Sequence, residues 1–224
     1  MPILLFDIDG TLIRTGGAGK AAMEAGLHSA FGVAEFLDTV PYSGRTDRAI
    51  GRDLLTVHGL EPTHANQVRL QEAYLSHLPA SLAKHGGIVC PGIPELLAEL
   101  RQRPGVVLGL LTGNVRAGAS HKLGHFGLWD NFACGGFGDS HYERDDVARA
   151  ALAEVRSHLK RDVDSGEVWV IGDTPLDVQC ARAIGAKVVA VATGWHPVEE
   201  LGTHGPDYLY TDLVNPEGLL KLWR

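Results

Sequence analysis

Cysteine is scarce in this 224-residue chain: Cys90, Cys134 and Cys180 stand far apart, form no C-x-x-C pair and are odd in number. That pattern excludes a disulfide scaffold and a Cys-rich zinc site, and suits three buried thiols in a reducing compartment. Long apolar runs are also lacking. No stretch reaches the roughly 18 consecutive apolar residues of a membrane span. The opening "MPILLF" has no basic segment and meets a charge at Asp7, unlike a secretory signal, so a cytoplasmic protein with no membrane partner is expected. Clustered basic residues are missing too: 20 Lys and Arg stand against 27 Asp and Glu, a formal charge of −7. This argues against nucleic acid and anionic lipid as partners, because both recruit basic patches. An internal repeat and a low-complexity tract are absent as well. An anionic ligand would have to be held by a metal or by a few placed cations.

What is present is ample apolar material. With 45% hydrophobic and 21% charged residues, the chain can bury a sizeable core, and its length suits one core plus an inserted subdomain. Almost wholly apolar runs at 3–8, 106–112 ("VVLGLLT"), 168–172 ("VWVIG") and 187–192 ("KVVAVA") predict strands buried on both faces, with a weaker strand at 130–134 ahead of "CGGFG". Helical patterns fall between and after them at 94–103, 116–127, 145–159 and 175–185. Such alternation predicts an α/β fold, a Rossmann-like parallel sheet covered by helices on both sides. Residues 15–88 break the rhythm. Helices around 18–31, 47–58 and 64–84 follow one another there, and "GGIVCPG" marks the return. The expected organisation is an α/β core of residues 1–14 and 89–224 with an inserted α-helical cap of residues 15–88.

Three of the proposed strands end in polar clusters: "DIDGT" at 7–11, "TGN" at 112–114 and "GDTPLD" at 172–177. In an open parallel sheet, ligands bind beyond the C-terminal strand ends, so all three clusters would face one crevice. Each alone is also what a turn or a helix cap produces; their coincidence on strand ends is what favours a site. Asp7, Asp9, Asp173 and Asp177 would converge there. Two carboxylates about 4 Å apart repel by roughly 4 kcal/mol at an effective dielectric of 20. A bound Mg²⁺ resolves that repulsion, and protonating one carboxylate is the alternative, which leaves a general acid. Both point to phosphoryl chemistry.

In this order, "DIDGTL", "LLTGN" and "GDTPLD" resemble the motifs of the haloacid dehalogenase superfamily of phosphohydrolases. "GIPELLAEL", "KLGHFGL" and "TGWHPVEEL" resemble its phosphoglycolate phosphatase-like members with a helical cap. The resemblance implies that Asp7 is the nucleophile, forming an aspartyl-phosphate, and that Asp9 is the acid and later the base. Dehalogenases of the superfamily lack the second aspartate, so its presence favours phosphate over halide. By the same resemblance Thr112 hydrogen-bonds a phosphoryl oxygen, while Gly10, Thr11, Gly113 and Asn114 form the loops that receive the phosphate. Mg²⁺ would be held by Asp7, Asp173 and the backbone carbonyl of Asp9, with Asp177 in support. The implied activity is Mg²⁺-dependent hydrolysis of a small phosphorylated metabolite, 2-phosphoglycolate first. A phosphoglucomutase-like phosphotransferase or a pyrophosphatase would share the motifs, and a non-catalytic phospho-ligand binding module is the reading from another class.

The segment "GDSHYERDDVARAAL" departs from the family's third motif, where a Lys or Arg precedes a helix. Arg144 is the best-placed cation, with Arg149 read as a surface residue. "SGRTDRAI" at 43–50 has two readings: Arg45 and Thr46 meet the substrate, or Thr46 or Asp47 caps a helix with Arg45 paired at the surface. "GGAGK" at 16–20 fails the phosphate-loop pattern and reads as a hinge, with Lys20 a minor substrate candidate. His121 and His125, four apart on one helix, read as a solvated face rather than a metal pair.

Overall fold

The computed structural model describes residues 1–223. In chain order its elements begin with β1 (Ile3–Phe6), β2 (Ile13–Arg14), α1 (Ala18–Phe31), α2 (Asp47–Val57), α3 (His64–His85), β3 (Ile88–Val89), α4 (Ile93–Arg101) and β4 (Val107–Leu111). There follow α5 (Arg116–His125), β5 (Cys134–Gly136), α6 (Arg144–Leu159), β6 (Val168–Gly172), α7 (Pro175–Ala183), β7 (Lys187–Val191), α8 (Val198–Thr203), β8 (Tyr208–Tyr210) and α9 (Glu217–Leu222).

A six-stranded sheet runs in the order β5-β4-β1-β6-β7-β8, every pair parallel. The apolar strands explain why: alternate residues of β1 enter different cores, so no strand has a polar face. Leu4 and Phe6 pack with Leu96, Leu123 and Leu219 from α4, α5 and α9, while Ile3 and Leu5 pack with Val147, Val178 and Leu201 from α6, α7 and α8. From β1 the chain proceeds to β4 and β5 on one side, then returns to β6, β7 and β8 on the other. β1 therefore sits at the switch point, and the loops leaving β1, β4 and β6 open into one crevice.

Helices α1 to α3 form a separate cluster around Leu27, Leu54, Leu70, Tyr74 and Leu78. They lie between β2 and β3, a short antiparallel pair that joins the helical segment to the sheet. Gly26 lets α1 approach closely, since a Cβ there would stand 3.0 Å from the Tyr74 nitrogen.

The strand expected at 130–134 is displaced. A 3₁₀ turn occupies Trp129–Asn131, and β5 forms from Cys134–Gly136, sharing only Cys134 with the expected strand and taking Gly135 and Gly136 from the expected trailing loop. The reason is packing: a Cβ on Gly136 would stand 2.5 Å from the Val147 carbonyl oxygen, so only glycine lets α6 lie against this edge. The β2–β3 pair, β8, α8 and α9 have no counterpart in the sequence pattern.

Candidate active site

Asp7 follows β1 directly, its backbone N–H donating to the Ile171 carbonyl at 2.9 Å, so the carboxylate emerges between β4 and β6. Arg144, the first residue of α6, reaches it from below: Nη2 lies 2.8 Å from Asp7 Oδ1 and also contacts Asp177 Oδ1. Further contacts run from Arg144 Nη1 to the Gly44 carbonyl at 3.2 Å and from Nη2 to the Leu111 carbonyl at 3.4 Å, while its buried Nε has no partner among the described residues. Asp173, at the end of β6, accepts from the Thr11 hydroxyl at 2.9 Å. Asp177 lies in the first turn of α7 and accepts from the backbone N–H and hydroxyl of Thr174 at 2.9 and 2.8 Å, completing a capping box. Burial pushes the Asp7 carboxyl up to about 6 although Arg144 draws it down, with the charges of Asp177 and Asp9 adding to the rise. Asp173 is held well above the usual carboxylate range, first by burial, then by Asp177 and Asp7.

Asp9 belongs to a different network. Ile8 between the two aspartates is fully buried and anchors the turn, and Gly10 at φ 90° completes it. Asp9 Oδ2 accepts from Lys122 Nζ at 2.6 Å and from Asn114 Nδ2 at 2.9 Å. Lys122 Nζ also donates to Asn114 Oδ1 at 2.6 Å, and Asn114 Nδ2 to Thr112 Oγ1 at 2.8 Å. Burial opposes the charge on Lys122, but Asp9 and Asp47 more than offset it and hold its pKa above the ordinary lysine value.

The segment leading into α2 covers these groups. Thr46 caps α2, accepting from the Ala49 N–H at 3.1 Å and donating to the Tyr142 carbonyl at 3.1 Å. Asp47 donates its backbone N–H to the Gly113 carbonyl at 2.8 Å, and its carboxylate accepts from the Val115 N–H at 2.9 Å. A Cβ on Gly113 would stand 2.1 Å from the Arg45 carbonyl oxygen, so glycine is what admits this contact. Burial pushes the Asp47 carboxyl up to about 6 against the pull of Lys122. On the other side, Ser43 Oγ lies 2.9 Å from His196 Nε2.

Between these parts lies a cavity of about 800 Å³. Of the residues singled out in the sequence, Asp7, Asp9, Gly10, Lys20, Arg45, Asp47, Gly113, Asn114 and Arg144 line it. Thr11, Thr112, Asp173 and Asp177 are buried behind that lining. Two placements differ from a substrate-contacting role. Thr46 is fully buried, with its hydroxyl engaged as the helix cap, and Arg45 lines the cavity but pairs with Asp53 at 2.6 Å and donates to the Pro41 carbonyl. His121 and His125 are exposed on α5, Arg149 is exposed and pairs with Asp146, and Lys20 pairs with Asp38.

The model of the haloacid dehalogenase-like hydrolase family matches residues 4–182, a span that contains Asp7, Asp9, Lys122, Arg144, Asp173 and Asp177. The chain belongs to this family. Among curated relatives of the hydrolase, a phosphoglycolate phosphatase of Cereibacter sphaeroides is 30% identical over 212 residues, covering 92% of either chain. One from Synechococcus elongatus is 28% identical, covering 99% of this chain and 96% of its own. Its fold is shared by CbbY from Rhodobacter sphaeroides, solved in complex with phosphate (TM-score 0.76, 22% identity, 96% of each chain), and by a hydrolase from Pseudomonas syringae (TM-score 0.69, 22% identity, all of each chain).

The hydrolase has a donor set that fits a hard divalent cation: one carboxylate oxygen each of Asp7, Asp173 and Asp177 lies within 4.8 Å of the others. Three buried carboxylates share a single guanidinium, so positive charge is in deficit. The Asp9 side chain stands outside this cluster, tied to Lys122. Lys122 itself escaped the sequence reading, although a signal existed: with Gly118, Ala119 and Leu123 it forms the buried face of α5, an unusual place for lysine.

Proposed function

We propose that this phosphatase hydrolyses small phosphate monoesters with Mg²⁺, through an aspartyl-phosphate on Asp7. The carrying observation is that two carboxylates two residues apart line one cavity yet belong to different networks, Asp7 with Arg144 and Asp9 with Asn114 and Lys122. Asp7, Asp173 and Asp177 would hold the cation, which supplies charge against the phosphate and keeps neighbouring carboxylates ionised. Asp7 Oδ attacks phosphorus while the bond to the leaving oxygen breaks and Asp9 delivers a proton to that oxygen. A water then loses its proton to Asp9 and attacks the phosphoryl group, freeing phosphate and Asp7. Thr112 accepts from Asn114 and retains its hydroxyl hydrogen for a phosphoryl oxygen. Arg144 holds Asp7 in line. The helical segment 15–88 acts as a cap whose closure excludes water. Three free, buried cysteines support a cytoplasmic setting, and no helix among the described residues is long and apolar enough to cross a membrane.

The test is release of phosphate from p-nitrophenyl phosphate with and without Mg²⁺. The wild type should turn over only with the metal, without a bisphosphate activator, and Asp7→Asn should lose at least about 10³-fold in kcat. An Asp7→Asn variant as active as wild type refutes the assignment. The names of the relatives make 2-phosphoglycolate the first natural ester to offer.

A further inference from the structure

The cavity is larger and less polar than a two-carbon ester requires. Its volume of about 800 Å³ falls in the range, roughly 300–1,000 Å³, that accommodates drug-sized ligands. On the cap side it is walled by Met23, Tyr42, Ile50 and Tyr74, and Trp195 stands at its edge on the loop after β7. Trp195 is 90% exposed, the most exposed large apolar side chain among the described residues. An indole left in water beside a cavity gains by stacking on whatever enters it. The Tyr42 hydroxyl is buried with no partner among the described residues, so the cavity meets the rest of that side chain.

The charges point the same way. A carboxylate on the leaving group, as in phosphoglycolate, needs a cation close to the reacting ester and not already paired. Arg45 is tied to Asp53, Lys20 to Asp38, Lys122 to Asp9 and Arg144 to Asp7. Arg14 alone among the lining cations has no ion pair within the described residues, and it lies on β2 with its side chain exposed. The cavity also presents a further carboxylate, Asp47, which feels the charge of the same Lys122 as Asp9 and would repel an anionic leaving group.

Resting on the phosphatase reading above, we infer that the substrate is the phosphate monoester of a neutral, ring-bearing alcohol larger than glycolate. The ring lies against Trp195 and the partly exposed Tyr42, and a hydroxyl or N–H of the alcohol donates to Asp47. The chemistry at phosphorus is unchanged; recognition moves from charge to stacking.

Three esters separate the ideas when kcat/KM is compared with Mg²⁺ present: 2-phosphoglycolate (small, anionic leaving group), glycerol 3-phosphate (small, neutral) and a nucleoside 5′-monophosphate (ring-bearing, neutral). The nucleotide should be preferred over glycerol 3-phosphate by at least about tenfold, the scale of one base stacked on an aromatic ring, and phosphoglycolate should be poorest. Trp195→Ala, a substitution at a solvent-facing position that leaves the fold intact, should cut the preference for the nucleotide over glycerol 3-phosphate about tenfold, mainly through KM. Preference for phosphoglycolate, with Arg14→Ala raising its KM, overturns the inference while leaving the phosphatase reading standing. So does a Trp195→Ala enzyme with an unchanged preference. Failure to release phosphate even from p-nitrophenyl phosphate removes the phosphatase reading, and the inference with it.

Discussion

Lys122 shows how a single side chain can change the meaning of its neighbour. Asp9 alone would be one more carboxylate in an acidic crevice; with Nζ at 2.6 Å and the Asn114 amide at 2.9 Å on the same oxygen, its orientation is set. The holding groups meet Oδ2, which leaves Oδ1 for the proton that travels to the leaving group. Lys122→Met should therefore harm substrates that need that proton. Turnover of an alkyl phosphate is expected to fall about 10–100-fold, within the range general acid catalysis contributes. Turnover of p-nitrophenyl phosphate, whose phenolate departs unprotonated, should fall only a few-fold. Equal losses on both, measured as kcat, would assign Lys122 to phosphate binding instead. The aspartates themselves were readable from "DIDGT" because strand alternation makes residues two apart share a direction. Lys122 was not, because it meets Asp9 from a helix 113 residues further along the chain.

Among the elements, β5 is the instructive case. Its three residues, Cys134, Gly135 and Gly136, have poor strand propensity, and the pattern of the sequence puts the strand earlier. Tertiary packing overrides propensity here: a Cβ on Gly135 would stand 2.9 Å from the Leu110 side chain, and one on Gly136 2.7 Å from that of Ala151. Gly136→Val should push α6 outward and cost about 1–3 kcal/mol, the usual penalty for overpacking, read as a lower urea midpoint. Because Arg144 opens α6, activity should fall by more than the unfolded fraction explains. The long helices were legible by contrast, α1 to the residue, because apolar periodicity over many residues is a local property. Thr46 was legible in both of its readings, and the cap prevails because its hydroxyl has the Ala49 N–H and the Tyr142 carbonyl within reach.

At the scale of the molecule, the acidic balance has a thermodynamic signature. Asp7 and Asp47 are pushed up to about 6 from 3.8, and Asp173 is held well above the usual carboxylate range, each chiefly by burial. A carboxyl with a raised folded-state pKa stabilises the fold while protonated, and that contribution is lost as pH climbs from about 4 through 6. Ionising one such group costs roughly 3 kcal/mol. Carboxyls lowered by partners, Asp53 and Asp207 by arginine and Glu167 by Arg161, contribute in the opposite sense, but their window lies at and below about pH 4.5. The Tm of the metal-free protein should thus decline from pH 5 to 7.5, Asp47→Asn should flatten that decline, and Mg²⁺ should raise Tm more at pH 7.5 than at 5. A metal effect independent of pH, measured by scanning calorimetry, would mean that the cation does not compete with protons on Asp7 and Asp173.

The sequence by itself determined the parallel α/β sheet, the helical insertion after the first strand, and the carboxylates that meet at the strand ends. Those are encoded in residue order: apolar runs bury strands on both faces, and loops at one sheet edge face one crevice. Only the tertiary structure decided which cation serves which carboxylate and what walls the cavity. Arg144 meets Asp7, Lys122 meets Asp9, Arg45 is drawn off to Asp53, and Tyr42, Tyr74 and Trp195 gather from three distant segments. Pairing and enclosure depend on distance in space between residues remote in the chain, and no local pattern carries that information.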